Sequence, residues 1–397
     1  MFKRRKRILL LADVHGFGRD YHVGDEAMAE VAIKRISELI GRDRIVLAAG
    51  DRRRASSTYS VTAFSFYHVS DRAWRAMRVK RPARWAWSYI RQIYWLLSCD
   101  SVLICGGGNL TSVYPNVLEA RLRFLELARR LRRRLFFVSQ TLGPYSQGDR
   151  ARVRLLLRDA DWIGVRDPGF SEAQIGMQAR PALDDAVYLQ PEFSESVDEM
   201  SGGKRFAIFT YRRLDGMSEE DVASLAGASE RVAKEREMEG LLVPHHAPQG
   251  GGDLNLAREV SAFLSANATF SIAPIMRAAE VKALTQRAQL VVTMRYHQLI
   301  FALSAGIPVV AIWGSEYTKG KLGGAFEMMN LEPCMLPIDR IGKDLDDMVD
   351  FVWEQREQFR DAASSAPRNG RTRNEAPYRL IAGLKPLSEM NDAAKTG

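Results

Sequence analysis

The chain has 397 residues, 46% of them hydrophobic, and this length favours two domains over one. Its three cysteines, Cys99, Cys105 and Cys334, show no CxxC spacing, which argues against a disulfide framework and a zinc knuckle and fits a reducing cytoplasm. No segment reaches the roughly 18–20 uninterrupted apolar residues of a membrane span, and the apolar run after the basic residues 3–7 is too short for a signal peptide. These features predict a cytoplasmic protein.

The positive charge of the chain is concentrated in its first half. The net charge is +9 at pH 7, but residues 1–182 carry 33 Lys and Arg against 17 Asp and Glu, while the remainder carries 24 against 31. This asymmetry indicates one of two situations. The first half either meets an anionic partner, such as nucleic acid, a bilayer surface or a lipid-linked substrate, or presents an arginine-rich surface to solvent.

Strand-like and helix-like segments alternate along the first half. Buried strands are predicted at residues 8–12, 45–49, 102–105, 135–139 and 162–165. Helices are predicted at residues 26–40, 84–98, 118–133 and 151–159. Alternation of this kind indicates a parallel, doubly wound sheet.

The second half repeats the alternation after a polar segment that contains Pro and Gly. Its predicted strands are residues 206–211, 240–243, 290–293 and 309–313, and its predicted helices lie near 218–239, 253–264, 278–288, 297–305 and 344–362. We therefore predict an N-terminal domain at 1–190, a linker at 191–203, a C-terminal domain at 204–362 and a partly mobile extension at 363–397. Two such domains would face each other across a cleft, a common ligand site.

Glycines and a carboxylate follow the first predicted strand. Gly16 and Gly18 lie in the turn after it, and Gly24 and Asp25 come just before the next helix. Glycines in such a turn let the backbone approach a ligand closely, and a helix N-terminus offers free amides to an anion. The spacing is not GxGxxG, so it gives weak support for dinucleotide binding, and Asp25 taken alone is expected to be a helix N-cap.

Two further strand ends carry groups suited to a ligand. Gly106, Gly107, Gly108 and Asn109 follow the third strand, and Gln140 closes the fourth. Three successive glycines imply close packing against either a domain interface or a bound substrate. Because the carboxyl ends of parallel strands meet at one edge of a sheet, these residues together predict a ligand site in the first domain.

Cationic side chains and one histidine converge on the carboxyl edge of the second domain. They are Arg212, Arg213, Arg295, His297, Lys319 and Lys321. Guanidinium groups bind carboxylate and phosphate in two-point contacts and lysine adds a point charge, so the predicted ligand is small and multiply anionic. His297 is either a buried structural histidine or a group that moves a proton, and its position two residues after Arg295 favours the second interpretation.

The histidines show no spacing typical of a metal site. His245 and His246 come nearest, but adjacent histidines in an extended chain point to opposite sides, so one ion cannot easily bind both. We predict no metal and no cofactor.

The stretch 72–97 combines aromatic with basic side chains. On a helix, a face that would pack on the sheet is shared by Trp85, Tyr89, Ile93, Leu96 and Leu97, whereas Trp87, Tyr94 and Trp95 fall elsewhere. Packing against the sheet is the expected role, and peripheral contact with a membrane is the alternative.

Several short motifs follow one another along the chain. They are Gly24-Asp25-Glu26-Ala27, Gly106-Gly107-Gly108-Asn109-Leu110, Gln140 with Gly143-Pro144, Val165-Arg166-Asp167, and Met294-Arg295-Tyr296-His297 followed by Ile300-Phe301-Ala302, Gly306, Pro308 and a downstream lysine. In the order of these motifs, the chain resembles the polysaccharide pyruvyl transferase family over roughly residues 8–335. The resemblance implies two Rossmann-like domains in a glycosyltransferase-B-like arrangement. It also implies transfer of a pyruvyl group from phosphoenolpyruvate to a sugar of a cell-surface or exported polysaccharide precursor, usually as a cyclic ketal.

The resemblance assigns roles to the second-domain residues. Phosphoenolpyruvate would be bound by Arg295, by Arg212 or Arg213, and by Lys321 or Lys319. His297 would be the general acid that protonates the methylene carbon of the donor.

The same resemblance places the sugar acceptor on the first domain. Asp25 would orient or deprotonate the acceptor. The residues expected to bind it are Gly24, Gly107, Gly108, Asn109 and Gln140. A lipid-linked acceptor and a peripheral position at the inner face of the cytoplasmic membrane are left open, and no nucleic-acid partner is expected.

The chain departs from the family pattern at two positions. The family usually has Asn shortly before the Gly-Asp pair, where this chain has a longer loop containing His22, and a small residue after the histidine, where this chain has Gln298. Either change could alter the acceptor or the donor.

Two other functions remain alternatives. A glycosyltransferase of the same architecture would use a nucleotide sugar and could bind its ribose through Glu316, although the neighbouring lysines favour a phosphate-rich donor. A non-catalytic anion- or nucleic-acid-binding protein would use the basic first half and would not need Arg295 or His297.

Overall fold

A computed structural model describes residues 7–18, 20–66, 71–246, 248 and 251–385, with the backbone alone at 71 and 72. The basic residues 3–6 and the tail after residue 385 lie outside this range. The chain folds into two compact units. The first comprises Met1–Phe17, Met28–Asp185 and Gly370–Gly397, and the second comprises Gly18–Ala27 and Ala186–Asn369.

Helices and strands alternate through the first half of the chain, as predicted. In chain order the elements are β1 (Ile8–Leu11), α1 (Val23–Ile40), β2 (Ile45–Ala49), α2 (Arg52–Tyr59), β3 (Thr62–Ser65), α3 (Asp71–Lys80), α4 (Pro82–Ser98), β4 (Ser101–Ile104), β5 (Gly107–Leu110), α5 (Pro115–Arg130), β6 (Arg134–Leu142), α6 (Gln147–Arg158), β7 (Trp162–Val165), α7 (Pro168–Ile175) and β8 (Arg180–Pro181). A short 3-10 helix precedes β2 at Arg42–Arg44.

The second half continues the alternation. Its elements are α8 (Glu195–Ser201), β9 (Phe206–Thr210), α9 (Glu219–Glu235), β10 (Glu239–Leu242), α10 (Gly252–Phe263), β11 (Phe270–Ile272), α11 (Ala278–Arg287), β12 (Leu290–Thr293), α12 (Tyr296–Ala305), β13 (Val309–Trp313), α13 (Glu316–Met328), β14 (Met335–Pro337), α14 (Ile341–Glu354) and α15 (Arg356–Ala382). Further 3-10 turns lie at Asp185–Tyr188 and Ile338–Arg340.

Each unit contains one parallel sheet. The first sheet has the order β3-β2-β1-β4-β6-β7-β8, with β5 beside β6, and the second has the order β11-β10-β9-β12-β13-β14. In both sheets the order reverses next to the first strand, between β1 and β4 and between β9 and β12. The predicted fold class, two doubly wound parallel sheets, is confirmed. Ligands of such sheets bind outside the carboxyl ends of the strands at this reversal.

The central strands are buried on both faces. Every residue of β1, β9 and β12 is buried, because helices cover both sides of each sheet. This explains why these strands are near-continuous apolar runs rather than alternating ones. Full burial of each large aliphatic side chain contributes about 1.5–3 kcal/mol.

The division of the chain differs from the predicted one in three places. Residues 186–190 belong to the second unit instead of the first, and the chain returns to the first unit at Gly370. The segment 18–27 was assigned to the first domain, but it belongs to the second unit. His22 pairs with His246 in an antiparallel bridge, the Val23 amide donates to the His245 carbonyl at 3.0 Å, and the Ala278 amide donates to the Tyr21 hydroxyl at 2.8 Å. Chain continuity alone would not reveal these hydrogen bonds.

The structure also differs from the predictions for two irregular segments. The predicted linker 191–203 contains the helix α8, which packs on α11. Most of the predicted extension at 363–397 that the structure describes is helical, because α15 runs to Ala382. The Asn374 side chain is buried and exchanges two hydrogen bonds with the Leu183 backbone, and the Tyr378 hydroxyl donates to Asp185, so a few specific contacts hold a helix whose composition is polar.

Within the described part of the chain, no helix is long and apolar enough to cross a membrane.

Candidate active site

Four of the six histidines of the chain belong to the second unit. His297 follows β12, His245 and His246 follow β10, and His22 belongs to the segment 18–27 that pairs with them. β9 lies between β10 and β12, so these segments occupy the edge of the sheet where the strand order reverses. The sequence predicted a site at this edge, but only one of the four histidines was assigned to it.

Arg295 is held by a carboxylate that the sequence analysis did not identify. Its guanidinium makes a two-point contact with Asp253, in which Nε donates to Oδ2 at 2.9 Å and a terminal nitrogen donates to Oδ1. The Asp253 side chain is 3% exposed, and its Oδ2 also accepts the amides of His245 and His246 at 3.1 Å each. Arg295 is therefore fixed in place, and its charge is partly compensated before any ligand binds.

His297 packs directly against the backbone of Gly24. It is the second residue of α12 and is buried. A Cβ atom built on Gly24 would lie 1.7 Å from His297 Nδ1, so only glycine allows the imidazole to occupy this position. The Tyr296 ring lies edge-on to the imidazole, with 5.3 Å between the centroids. Gly24 thus has a structural role toward His297.

His22 and Asp25 form a second contact in the same place. The Asp25 amide donates to His22 Nδ1 at 3.4 Å, and Asp25 Oδ2 lies 3.3 Å from the same nitrogen. Burial holds the pKa of His22 well below its usual value, and the charge of Arg295 lowers it further. His22 is therefore neutral near pH 7, and its contact with Asp25 is not an ion pair.

Gln298, where the chain departs from the family pattern, supports His245. Its side chain is fully buried, Nε2 donates to Thr285 Oγ1 at 2.9 Å, and Oε1 lies 2.9 Å from His245 Nε2. Because the amide nitrogen of Gln298 is the donor to Thr285, its oxygen accepts a hydrogen bond from Nε2 of His245. Gln298 therefore fixes the orientation of a neighbouring imidazole.

The predicted lysines and arginines differ in their placement. Lys321 is half-buried, with Nζ 4.9 Å from the centroid of the Tyr296 ring, beside the start of α12. Lys319 is exposed over Trp313, with Glu316 3.9 Å away. Lys321 is accordingly the better candidate for an anion site.

Arg212 and Arg213 show a similar contrast. Arg212 is half-buried, two residues after β9, the strand that pairs with β12, so it lies at the same sheet edge as Arg295. Arg213 is exposed and forms an ion pair with Glu259. The structure favours Arg212 as the site residue of this pair.

The first unit carries a separate polar group at its own strand reversal. Asp13 follows β1, and its Oδ2 accepts a hydrogen bond from Asn109 Nδ2 at 2.8 Å and lies 3.9 Å from a nitrogen of the buried Arg121. Asn109 was predicted as a binding residue, whereas Asp13 and Arg121 were not. Gly107 and Gly108 lie in β5, which pairs with β6.

The side chain of Gln140 lies inside the protein and is hydrogen-bonded to the backbone there. It is fully buried, and its amide donates to the carbonyls of Ile104, Cys105 and Val138 at 3.3, 2.8 and 2.8 Å. Its donors are therefore engaged by the protein backbone and not presented to a ligand.

Among the residues that the structure describes, no three His, Cys, Asp or Glu side chains are grouped so as to hold a metal ion.

Comparison with protein families decides between the interpretations of the sequence. A family model described as polysaccharide pyruvyl transferase matches residues 22–316, a range that contains Arg295 and His297 but begins after β1 and Asp13. The chain belongs to the polysaccharide pyruvyl transferase family. It is therefore a transferase, and the alternative of a non-catalytic binding protein is not supported.

Solved structures similar to this pyruvyl transferase family member share its fold at low sequence identity. MnaA of S. aureus, in a structure with UDP, has a TM-score of 0.65 and 11% identity and matches 96% of this chain and 99% of its own. UDP-GlcNAc 2-epimerase from Neisseria meningitidis, bound to UDP-GlcNAc, has a TM-score of 0.61 and 10% identity, with coverage of 95% and 98%.

The glycotransferase of kitacinnamycin has a TM-score of 0.52 and 10% identity, with coverage of 95% and 98%. No curated relative matches the sequence. These glycosyltransferase-B-like neighbours establish the fold.

The burial of His245 predicts that the free energy of unfolding of this pyruvyl transferase family member depends on pH. Burial lowers the pKa of His245 to about 4, against about 6.5 in an unfolded chain. Above pH 6.5 His245 is neutral in both the folded and the unfolded protein, so its titration does not lower the free energy of unfolding. As the pH falls from 6.5 towards 4, the unfolded chain binds a proton at this residue before the folded protein does, and the free energy of unfolding falls. The expected loss is on the order of 3 kcal/mol.

Urea unfolding of the wild-type protein and of His245→Gln across this pH range measures the effect. The free energy of unfolding of the variant should fall less steeply between pH 6.5 and 4. Equal slopes would contradict a buried, neutral His245. Carboxylates that titrate in both proteins contribute equally to both slopes, so the difference between the slopes reports on His245.

Proposed function

We propose that this transferase moves a pyruvyl group from phosphoenolpyruvate to a saccharide of a polysaccharide or lipid-linked oligosaccharide precursor and forms a pyruvate ketal. The observation that supports the donor most strongly is that the guanidinium of Arg295, held by Asp253, and the buried imidazole of His297 both follow β12, two residues apart. One group offers a two-point contact to an oxyanion and the other can carry a proton.

The charges at this edge suit a compact anion. Phosphoenolpyruvate carries about −3 when its carboxylate and phosphate are fully ionised. Arg295, Arg212 and Lys321 supply three positive charges, but Asp253 offsets one of them. The remaining negative charge of the ligand is stabilised by the N-terminus of α12 and favours a protonated His297 in the complex.

The proposed reaction begins with proton transfer. His297 gives its proton to the methylene carbon of phosphoenolpyruvate, which leaves a cationic carbon bonded to the phosphate oxygen. A sugar hydroxyl adds to that carbon. The bond to the phosphate oxygen then breaks with its electron pair, and a second hydroxyl closes the ketal. Of the two hydroxyl protons, one restores His297 and the other leaves with phosphate.

Asp25 is the proposed group that orients or deprotonates the acceptor. It lies in the first turn of α1, in the same unit as His297 and next to Gly24. On the first unit, Asp13 and Asn109 are joined by a hydrogen bond and offer paired oxygen and amide groups to sugar hydroxyls. Asn109 is therefore retained as an acceptor-binding residue, and Asp13 is added to it.

Transfer from a nucleotide sugar is the second candidate. It is favoured by the solved neighbours whose structures hold UDP or UDP-GlcNAc. Such a donor would need a carboxylate for the ribose, a role for which Glu316 at the start of α13 is available.

A thermal-stability measurement with each donor separates the two candidates. Phosphoenolpyruvate at about 100 times its Kd should stabilise the protein by about 2.7 kcal/mol, while UDP and UDP-GlcNAc at equal concentration should have no effect. Arg212→Ala should weaken the response to phosphoenolpyruvate. Arg213→Ala is the matched control, because the adjacent Arg213 is exposed and paired with Glu259.

A response to UDP-GlcNAc without one to phosphoenolpyruvate would contradict the proposed donor and support the glycosyltransferase. Equal effects of Arg212→Ala and Arg213→Ala would remove Arg212 from the donor site.

A further inference from the structure

The helices α3 and α4 of the first unit form a strongly basic hairpin. Residues 72–99 contain no Asp or Glu. They contain the cationic residues Arg72, Arg75, Arg78, Lys80, Arg81, Arg84 and Arg91. Five of these side chains, at positions 75, 78, 80, 81 and 84, are exposed, whereas Arg91 is half-buried and donates to the Ser65 carbonyl. This part of the protein attracts anions at neutral pH.

Helix α4 also exposes an apolar stripe. Trp87, Ile90, Tyr94 and Leu97 recur at intervals of three and four residues, so they share one face of the helix. Their exposed fractions are 68%, 55%, 59% and 47%. We call these four residues the α4 stripe. The remaining face of α4 packs on the core of the first unit through Tyr89, Ile93 and Leu96.

The stripe is unusual within the protein. Among the described residues, eleven large hydrophobic side chains are exposed, and five of them, the α4 stripe and Val79 of α3, belong to this hairpin. Exposed hydrophobic residues are normally scattered singly over a surface, whereas a contiguous patch with a charged rim marks an interaction site.

We propose that the α3–α4 hairpin docks this protein onto the surface of an anionic lipid bilayer. The α4 stripe would enter the boundary between head groups and acyl chains, where Trp and Tyr side chains are favoured. The five exposed basic side chains, at positions 75, 78, 80, 81 and 84, would contact the anionic head groups, each adding to the affinity. The helix would lie in the plane of the surface, and no segment would cross the membrane.

Charge and side-chain chemistry favour a bilayer over other partners. A second copy of the chain would bring an identical basic hairpin against the first, and like charges at close range disfavour this contact. Nucleic acid would suit the arginines and aromatic rings, but the aliphatic Ile90, Leu97 and Val79 gain more from a hydrocarbon environment than from bases. An anionic bilayer matches all of these groups.

The position of this surface has a consequence for the acceptor. Lipid-linked saccharides present their sugars beside the head groups, and the basic hairpin belongs to the unit that carries Asp13 and Asn109. Docking would keep the enzyme close to a lipid-linked acceptor. The docking proposal itself does not depend on the identity of the donor or the acceptor.

Flotation of the full-length protein with lipid vesicles tests the proposal. Vesicles of phosphatidylcholine containing phosphatidylglycerol should bind the protein, and vesicles of phosphatidylcholine alone should bind it much more weakly. Trp87→Glu/Tyr94→Glu should reduce the partition coefficient by about 10-fold or more, and so should Arg78→Glu/Arg81→Glu. All four side chains are exposed, so both variants should fold normally, which circular dichroism checks.

Leu155→Glu is the matched control. Leu155 is an exposed apolar residue of α6 in the same unit, and its replacement should leave binding unchanged. Equal flotation of wild-type protein and both hairpin variants would overturn the proposal. So would a dimer in solution that Trp87→Glu/Tyr94→Glu dissociates, or binding of single-stranded nucleic acid without vesicle binding. Pyruvyl transfer to a soluble acceptor should persist in both variants, which separates this test from that of the reaction.

Discussion

Replacement of His297 by alanine is expected to slow pyruvyl transfer by about 10²–10⁴-fold while the protein still folds and binds phosphoenolpyruvate. The reason is that a general acid contributes to the transition state and adds little to ground-state binding of the donor. Phosphate release in the presence of acceptor measures the transfer, and the thermal stabilisation by phosphoenolpyruvate measures binding. A folded His297→Ala protein with near-wild-type transfer would refute the proposed role of His297.

Gly24→Ala is expected to impair the same step without altering any reacting group. The added methyl would lie 1.7 Å from His297 Nδ1 and 2.4 Å from two ring carbons, so the imidazole must move. A displacement of about 1 Å at a reacting group can cost about 100-fold in rate. We therefore expect a loss of this order, with donor binding through Arg295 and Lys321 largely retained.

Gly227→Ala provides the matched control for Gly24→Ala. Gly227 lies within α9 of the same unit, and a Cβ built there meets nothing closer than an Arg231 nitrogen at 3.9 Å. Alanine should be tolerated or should stabilise the helix by up to about 1 kcal/mol, with unchanged activity. If Gly24→Ala and Gly227→Ala were equally active, the contact between Gly24 and His297 would not matter for catalysis.

Much of the fold follows from local sequence patterns. The strands β12 and β13 occupy the predicted residues 290–293 and 309–313, because a strand buried on both faces is an unbroken apolar run. Five strands were not predicted, namely β3, β5, β8, β11 and β14. β5 consists of Gly107–Leu110 with two glycines, and β8 has only two residues, so their pairing with β6 and β7 is decided by the sheet and not by their own sequence.

The candidate site was only partly predictable for a related reason. Arg295 and His297 stand at the end of a recognisable strand, and that position identified them. Asp253 lies 42 residues before Arg295, at the start of a helix, where its carboxylate has the appearance of an ordinary helix-terminal residue. His22 lies in a different part of the chain altogether and reaches the site through the bridge to His246 and the hydrogen bonds of its neighbours Tyr21 and Val23. Contacts between loops that follow different strands produce no periodic pattern in the amino-acid sequence.

Loss of the Asp253 carboxylate is expected to destabilise the protein by about 3 kcal/mol. Asp253→Ala would leave the guanidinium of Arg295 without its two-point partner in a site where both side chains are largely buried. Removing one member of such a pair leaves an uncompensated charge, which typically costs about 3–5 kcal/mol. The amides of His245 and His246 would lose their acceptor in the same change. Urea unfolding near pH 7 measures the difference.

Glu259→Ala is the control, because it measures how much stability is lost when an exposed ion pair is removed. Glu259 pairs with the exposed Arg213, and exposed pairs contribute about 0–1 kcal/mol. Comparable losses in Asp253→Ala and Glu259→Ala would show that burial of the Arg295 pair has no energetic consequence.

Combining Asp253→Ala with Arg295→Met tests the cause of the instability. If the uncompensated charge is responsible, the double variant should regain part of the stability lost in Asp253→Ala, because no buried charge remains. It should still fail to bind phosphoenolpyruvate, because the fixed guanidinium is gone. Recovery of stability without recovery of donor binding would assign the two partners separate roles: Asp253 holds the loops after β10 and β12 together, and Arg295 binds the anion.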